Sequence, residues 1–375
     1  MKIVQLLPAL NSGGVERGTL DLARALVKDG HESIVISSGG RLVEQLAQEG
    51  STHILRAVHR KSLTSLAQVR PLRKLIRELQ PDILHVRSRV PAWLTWLAWR
   101  KLDPHTRPRL VSTAHGLYSI NRYSAIMARS EQTIAISRCV KDYLQQNYAR
   151  YLQAEPEIIY RGVDTEEFNT NTPLPENWLN GVCAEFPALT GKKWLLLPAR
   201  LTRWKGQEDF IHLIAELVKT DPDAGNRFHG VILGGAEKNK EHFADELQAL
   251  AAKLGVTEHI SFVGQRSDVR HWYRQATLVY NLSRKPEPFG RTVIEACAVG
   301  TPVIGYDIGG PAESLKICFA EGLVENGNAA QLRDKTRQLL DSPVRPELAP
   351  EFTLAHQAEK TMALYRRLLA EKKRP

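Results

Sequence analysis

The chain repeats one pattern twice, with short apolar segments alternating with amphipathic segments along residues 1–160 and again from residue 193. The first pair is KIVQLLPAL at 2–10 and GVERGTLDLARALVKDG at 14–30, in which apolar residues recur at helical spacing. Strands that alternate with helices are typical of a parallel sheet covered on both faces. We therefore predict an α/β protein with two Rossmann-like, doubly wound domains that face a cleft.

The pattern stops at residues 164–192, which are rich in Asn, Pro, Thr and Gly and have little periodicity. Such a stretch is typical of a domain boundary. We predict a first domain at 1–168, a linker at 169–190 and a second domain at 191–350. An amphipathic C-terminal helix within 351–375 is expected to pack back on the first domain.

The net charge of +10 resides entirely in the first 160 residues, which hold 23 Lys and Arg against 13 Asp and Glu. A basic half predicts an anionic partner such as phospholipid headgroups, phosphorylated glycolipid or nucleic acid, with solubility as the alternative. Nothing in the sequence matches a nucleic-acid-binding module, so nucleic acid is not expected.

Trp93, Trp96 and Trp99 lie three residues apart, with basic residues on both sides. This arrangement suits an anionic membrane surface or a phosphorylated glycolipid, and it also suits three core tryptophans.

Several features predict a cytoplasmic protein that can lie on the inner face of the membrane. The apolar segment PAWLTWLAW at 91–99 is far shorter than the roughly 20 residues that span a bilayer. The N-terminal segment MKIVQLLPALNSGG is interpreted as a strand and not as a signal peptide. The four cysteines form no CxxC pair, which favours reduced thiols.

Glycines and cations follow the predicted strands. Gly13 and Gly14 separate the first strand from its helix, where backbone amides either meet an anion or form a plain tight turn. The segment PARLTRWKGQE at 198–208 has Arg200, Arg203 and Lys205 just before a helix. These cations suit a pyrophosphate, and a solvated basic turn is the alternative.

Two further polar features have structural and functional interpretations. His115 ends the segment RLVSTAHG and is expected to point into the cleft, although a single histidine is more often structural. Asp221-Pro222-Asp223 formally matches a metal-binding Asp-x-Asp motif, but it follows a helix and is interpreted as a turn. No metal site is predicted.

The segment EPFGRTVIE at 287–295 places Glu287 and Glu295 eight residues apart. Together with Gly13-Gly14, RLTRWKG, RGVD at 161–164 and GGPAE at 309–313, it resembles the retaining GT-B glycosyltransferases of family 4. The segments VRSRVPAW, HGLY and RLTRWKGQ further resemble the mannosyl- and glucosyltransferases of lipopolysaccharide core assembly.

The resemblance implies the transfer of a hexose-type sugar from a UDP-, GDP- or ADP-sugar to a glycolipid or oligosaccharide, with retained configuration and with neither metal nor cofactor. It implies that Arg200 and Lys205 neutralise the pyrophosphate, Glu287 binds the transferred sugar and His115 contacts the donor sugar or the acceptor. For donor binding it implies a larger set: Gly13, Gly14, Gly264, Arg266, Phe289, Gly290, Arg291, Thr292 and Glu295. Glu295 is expected on the ribose, and neither glutamate is expected to relay a proton.

The chain departs from the family at Arg161, where an asparagine is usual, and Arg291 adds a cation inside the signature. Two alternative functions stay open at this point. One is a GT-B transferase with a soluble acceptor, as in sucrose or trehalose synthesis, or with another lipid. The other is a non-catalytic protein that binds a nucleotide sugar or an anionic polymer.

Overall fold

The structure of the protein is a computed structural model that describes residues 1–11, 13–221, 223–236 and 242–372. The chain divides into two compact units. The first comprises Met1–Gly162 and Leu354–Pro375, and the second comprises Val163–Thr353. Each unit contains one parallel sheet flanked by helices, which confirms the predicted α/β class with two doubly wound domains.

The first unit has a seven-stranded sheet. Its strands are β1 (Lys2–Leu6), β2 (Glu32–Ser37), β3 (Thr52–Leu55), β4 (Ile83–Val86), β5 (Arg109–Ala114), β6 (Gln132–Ala135) and β7 (Glu157–Ile158). They are parallel and lie in the order β3-β2-β1-β4-β5-β6-β7. Ile3, Val4, Ile83 and Leu84 in the two central strands are fully buried, because helices cover both faces of the sheet.

The helices of the first unit follow its strands in sequence. They are α1 (Gly14–Lys28), α2 (Val43–Gln48), α3 (Val69–Leu79), α4 (Arg89–Trp99) and α5 (Arg138–Tyr148). In α1 the apolar residues at helical spacing form the buried face, with Leu20, Ala23 and Leu26 fully buried.

The second unit has a six-stranded parallel sheet. Its strands are β8 (Lys193–Pro198), β9 (Phe228–Leu233), β10 (Ile260–Gly264), β11 (Leu278–Asn281), β12 (Val303–Tyr306) and β13 (Leu323–Val324). They lie in the order β10-β9-β8-β11-β12-β13. The helices here are α6 (Trp178–Glu185), α7 (Gln207–Thr220), α8 (Ala224–Arg227), α9 (His242–Lys253), α10 (Val269–Gln275), α11 (Arg291–Ala298), α12 (Gly309–Cys318) and α13 (Ala329–Asp341).

The segment between the two sheets differs from the predicted linker, because residues 163–190 belong to the second unit. The Phe168 ring lies 6.4 Å from the Tyr273 ring. Trp178 in α6 packs edge to face on Trp272 at 5.5 Å, and its indole N–H donates to Asp268 at 2.5 Å. Because residues 163–190 are mostly polar and include few apolar residues, their sequence does not predict this packing.

The C-terminal helix α14 (Leu354–Lys372) belongs to the first unit, and residues 373–375 of the segment predicted to hold it lie outside the described residues. Leu364 and Leu368 pack against Ile3 and Ile83 of the first sheet. The hydroxyl of Tyr365 lies 2.6 Å from Nδ1 of His85, which is fixed on its other side by Thr113 at 2.6 Å. Burial and the nearby Arg87 hold the pKa of His85 well below its usual value.

The three tryptophans of α4 are oriented toward the core. Trp99 is 6% exposed, and Trp93 and Trp96 are partly buried against the same apolar cluster. In the part of the chain that the structure describes, no helix is both long and apolar enough to cross a bilayer.

The hydrogen bond between Tyr365 and His85 gives a stability prediction. The substitution Tyr365→Phe leaves a buried imidazole nitrogen unpaired and should lower the free energy of unfolding by about 1–3 kcal/mol. Urea denaturation of the full chain measures the change. The matched control is Tyr151→Phe, because no hydrogen bond joins the Tyr151 hydroxyl to a described residue. Equal stability of the two variants would contradict an anchoring role for this contact.

Candidate functional site

Strand order reverses next to the first strand of each sheet, and most of the predicted site residues lie near these positions. In the first unit β1 lies between β2 and β4, and in the second unit β8 lies between β9 and β11. The connections that follow two such adjacent strands leave in opposite directions and open a crevice at the carboxyl ends of the strands. The predicted residues therefore form two groups, one in each unit.

In the second unit, the loops after β8 and β11 hold each other in place. The backbone N–H of Arg284 donates to the carbonyl of Trp204 at 2.8 Å, and Arg284 forms an ion pair with Asp209 in the first turn of α7. Gly206 adopts φ +78°, and a Cβ there would overlap the carbonyl of Leu282. This close approach brings the two loops together.

Lys205 and Glu287 form the centre of this group. Nζ of Lys205 lies 2.6 Å from Oε2 of Glu287, and the two side chains are 15% and 13% exposed. The other carboxylate oxygen of Glu287 accepts a hydrogen bond from the Ser283 hydroxyl. An ammonium group has three donors, so Lys205 can hold Glu287 and also bind an anion.

The other two cations of the segment at 198–208 differ from Lys205. Arg203 is bound to Glu246 of α9 at 2.7 Å, with its side chain 63% exposed. Arg200 is exposed at the end of β8, and its carbonyl accepts a hydrogen bond from the buried Gln207. Of the three cations predicted to bind an anion, Arg200 and Lys205 thus lie near the crevice, whereas Arg203 is bound to a neighbouring helix.

The loop between Glu287 and α11 lies against the start of α12. The backbone N–H of Gly310 donates to the carbonyl of Glu287 at 2.8 Å. Gly290 has φ +104°, and a Cβ there would lie 2.6 Å from Pro311. The Phe289 ring is buried beside Phe352, so its side chain is not available to a ligand.

Glu295 is bound within its own unit. It accepts hydrogen bonds from Nε of Arg291 at 2.9 Å and from the Tyr273 hydroxyl at 3.2 Å, and its side chain is 13% exposed. Burial raises the pKa of Glu295, and the positive charge of Arg291 opposes that shift. The two contacts leave further lone pairs of the carboxylate able to accept hydroxyl groups. Thr292 lies in the same first turn of α11, partly exposed.

Gly264 is the last residue of β10, and Arg266 lies just after it. Gly264 is exposed with φ +71°, and its carbonyl accepts a hydrogen bond from Gly234. The guanidinium of Arg266 is bidentate to Glu185 of α6, at 3.0 and 2.5 Å. The Arg266 side chain therefore fastens this loop to α6, which leaves the backbone of the loop for any contact with a base.

The group in the first unit combines the start of α1 with two side chains. Gly13 has φ +144°, and Nη1 of Arg161 occupies the space that a Cβ of Gly14 would need. Nη2 of Arg161 donates to Nδ1 of His115 at 2.8 Å. The departure from asparagine at position 161 thus puts a cation beside both the glycine pair and the histidine.

His115 is held in one protonation state. Because Nδ1 accepts from Arg161, the neutral ring carries its proton on Nε2, which is buried and has no hydrogen-bond partner among the described residues. Burial, together with Arg161 and Arg87, holds the pKa of His115 well below its usual value. The ring is therefore a neutral hydrogen-bond donor near pH 7.

Several residues that support these groups were not identified from sequence. Arg87 follows β4, is 3% exposed and donates to Gln5 at 3.0 Å, and burial lowers its pKa to about 10. The sequence also did not identify Ser283, Tyr273 or the pair Asp209–Arg284. Ser283 precedes Glu287 by only four residues and could have been suspected, whereas the other contacts join elements that are distant in sequence.

The Asp-x-Asp segment lies elsewhere in the second unit. The backbone N–H of Asp223 donates to the Asp221 carboxylate at 3.0 Å, and Arg227 binds the same carboxylate at 2.9 Å. Pro222, its middle residue, lies outside the described residues.

Comparison with known proteins gives two family matches. Residues 12–167 match Glycosyltransferase Family 4, and residues 184–355 match Glycosyl transferases group 1. A glycosyltransferase from Rickettsia africae has a similar solved structure, with a TM-score of 0.83 and 29% identity over 100% of this chain and 99% of that one.

Two curated relatives have narrower names. A D-inositol 3-phosphate glycosyltransferase of Catenulispora acidiphila is 31% identical over 65% of this chain. The chain spans 59% of that relative, less than two thirds of its length. A lipopolysaccharide core biosynthesis mannosyltransferase of Rhizobium meliloti is 27% identical over 68% of this chain and 69% of its own length.

The two family matches together span most of both units, and the Glu287–Glu295 signature lies inside the second match. The chain therefore belongs to the family 4 glycosyltransferases, the group 1 glycosyl transferases of the GT-B fold.

Proposed function

We propose that the protein is a retaining, metal-independent glycosyltransferase that moves a hexose-type sugar from a nucleotide diphosphate sugar to a lipopolysaccharide core or related surface glycolipid. The observation that carries the proposal is the Lys205–Glu287 pair at the strand-order reversal of the second unit. A single fixed cation next to a carboxylate suits a substrate that has a diphosphate adjoining a polyhydroxylated sugar.

Lys205 acts on the leaving group in this proposal. Negative charge grows on the diphosphate as the glycosidic C–O bond breaks, so a cation fixed there stabilises the transition state more than the ground state. The contact with Glu287 holds Nζ in place before the donor arrives. Arg200, which lies in the same connection between β8 and α7, supplies the second charge.

The two glutamates bind hydroxyl groups. Glu287 contacts the transferred sugar, and its hydrogen bond from Ser283 leaves lone pairs for that contact. Glu295 accepts the two ribose hydroxyls, while the amides at Phe289 and Gly290, together with Arg291 and Thr292 in the first turn of α11, lie along the phosphates. The loop at Gly264 and Arg266 borders the base.

The acceptor proton does not pass through a protein carboxylate in this proposal. Both glutamates are engaged with neighbouring donors, and Nδ1 of the neutral His115 already accepts a hydrogen bond from Arg161. The leaving phosphate takes the proton of the acceptor hydroxyl on the same face of the sugar, which retains its configuration. In the first unit, Gly13, Gly14 and His115 contact sugar or phosphate.

The acceptor class has support from two directions. The excess of basic over acidic residues lies in the first 160 residues of the chain, and one relative is named for lipopolysaccharide core biosynthesis. A cytoplasmic enzyme at the inner face of the membrane would meet such a glycolipid. The second candidate is a soluble phosphorylated acceptor, which the relative named for D-inositol 3-phosphate favours.

A transfer assay tests the proposal. UDP-, GDP- and ADP-sugars are each incubated with the full chain and deacylated lipopolysaccharide core oligosaccharide, or with inositol 3-phosphate. We expect release of one nucleoside diphosphate and a product with the anomeric configuration of the donor. Release with none of the donors would overturn the proposal, and an inverted product would overturn the retaining mechanism.

Lys205 and Arg203 provide a matched pair of substitutions. The substitution Lys205→Met removes the cation at the leaving group and should lower kcat about 100- to 1000-fold. The substitution Arg203→Met removes a cation two residues away that is bound to Glu246, and kcat should change less than about twofold. Steady-state kinetics of both variants test this assignment. An equal loss of kcat in the two variants would contradict the role of Lys205 at the leaving group.

Glu295 should affect donor binding more than turnover. Ribose contacts are the same in the ground state and the transition state, so Glu295→Gln should raise the donor KM about tenfold with little change in kcat. Because burial raises the pKa of Glu295, the wild-type KM should also increase as the pH is lowered and the carboxylate is protonated. The exposed Glu258→Gln is the control, and a fall in kcat with unchanged KM would contradict this assignment.

A further inference from the structure

A continuous row of cations and aromatic rings runs across the first unit and adjoins the group at Gly13 and His115, because the backbone N–H of His115 donates to the Tyr118 hydroxyl at 3.0 Å. We call it the cation–aromatic surface. Its members are joined pairwise by ring contacts or hydrogen bonds and are Lys61, Arg89, Trp93, Trp96, Arg100, Tyr118, Tyr123, Arg129, Arg150 and Tyr151.

One end of the surface is built around Tyr123. Nζ of Lys61 lies 4.5 Å from the centre of the Tyr123 ring, and the Arg89 guanidinium lies 5.3 Å from it. Arg89 also lies 5.2 Å from the Tyr118 ring. Two cations and two rings therefore alternate at this end.

The other end is built around Trp96 and Tyr151. The guanidinium groups of Arg100 and Arg129 lie 4.8 and 5.1 Å from the Trp96 ring. Arg129 also lies 4.6 Å from the Tyr151 ring, and Arg150 lies 4.7 Å from that same ring. Three cations are held by two rings here.

Trp93 joins the two ends. Its indole N–H donates to the carbonyl of Tyr123 at 2.9 Å, and its ring meets Trp96 edge to face at 5.9 Å. Both tryptophans pack against the core of the unit. The rings are thus fixed by packing and hydrogen bonding, and they fix the positions of the cations in turn.

The five cations have no carboxylate partner among the residues that the structure describes. Other cations in the same unit do, as in the pairs Arg109–Glu131 and Lys141–Glu155. Nε of Arg129 is buried without any hydrogen-bond partner in the described chain. Lys61, Arg100 and Arg150 are exposed, so an anion from outside can reach them without displacing a carboxylate of the chain. The surface is therefore suited to an external anion.

The contacts of the rings indicate which kind of anionic ligand fits the surface. Cations contact the rings of Trp96, Tyr118, Tyr123 and Tyr151, so a nucleobase would have to displace them in order to stack there. Stacking occupies the face of a guanidinium group and leaves its N–H edge free to pair with a phosphate. Trp93 and Trp96 are half-buried in the core and do not protrude, whereas insertion into a bilayer needs protruding apolar side chains.

We propose that the cation–aromatic surface binds the phosphorylated part of the acceptor, an oligosaccharide that carries at least two phosphate groups. This inference rests on the proposed function, because that function makes the bound oligosaccharide an acceptor. It adds that phosphate groups on the acceptor, separate from the hydroxyl that reacts, supply binding energy. Five cations distributed over four rings suit separated phosphates better than a single anion.

The probe is deacylated core oligosaccharide of rough lipopolysaccharide, before and after removal of its phosphates with hydrofluoric acid. Calorimetric titration of the full chain should show phosphate-dependent binding that weakens with salt. The variant Lys61→Gln/Arg100→Gln/Arg150→Gln changes three exposed cations and should weaken binding of the phosphorylated probe on the order of tenfold. It should leave binding of the dephosphorylated probe unchanged.

The control variant is Lys74→Gln/Arg366→Gln/Arg367→Gln, which removes the same charge from exposed, carboxylate-paired cations of the same unit. Equal losses in the two triple variants, or equal wild-type affinity for both probes, would overturn the proposal. Circular dichroism confirms that each variant is folded.

Vesicles with 30% phosphatidylglycerol form the second arm. A membrane surface would use the exposed Leu66 and Ile120, which are 50% and 66% exposed. If Leu66→Ser/Ile120→Ser and the first triple variant both abolish vesicle binding while oligosaccharide binding stays intact, a bilayer occupies the surface and the proposal fails. Loss of oligosaccharide binding in the triple variant alone supports it.

Titration with UDP, GDP and ADP separates this inference from the proposed function. Nucleoside diphosphate binding is assigned to the second unit and should be the same in all variants. Intact nucleotide binding without phosphate-dependent oligosaccharide binding would overturn this inference alone. Loss of both in the wild type would overturn the proposed function as well.

Discussion

The reversal of strand order beside β8 is the constraint on which the candidate donor site depends. Parallel strands need crossover helices, and a reversal sends two adjacent crossovers to opposite faces of the sheet. The loops that follow β8 and β11 therefore meet at one edge, where Gly206 permits their close approach. Lys205 and Glu287 come within 2.6 Å of each other only because these two loops are adjacent.

The cations of the two units contact different kinds of side chain. In the second unit the cations near the site are bound to carboxylates, as in Lys205–Glu287, Arg291–Glu295 and Arg284–Asp209. Such pairs fix a cation and still leave donors for a ligand. On the cation–aromatic surface of the first unit the cations contact rings instead. That difference follows from the sequence, since the excess of basic residues lies before residue 160.

The sequence was sufficient for the fold class, because apolar periodicity reports burial directly. It also singled out Lys205, Glu287 and Glu295, which belong to the segments that resemble the family, and their roles stay predictions. Residue chemistry alone did not separate Lys205 from Arg203, and only the family resemblance did, because the partner of Arg203 is Glu246, 43 residues further on. The sequence could not assign residues 163–190 to the second unit, because Trp178 and Phe168 are isolated within a polar segment. Contacts between distant elements, such as Tyr273 with Glu295, leave no local pattern.

A donor site in the second unit requires that a nucleoside diphosphate bind at the crevice beside β8. The most direct measurement is the melting temperature of the full chain as a function of UDP, GDP and ADP concentration. A ligand that binds only the folded state stabilises it by RT ln(1 + [L]/Kd). We expect at least one of the three nucleotides to raise the melting temperature progressively with concentration. A melting temperature that none of them changes, up to millimolar concentration, would contradict it.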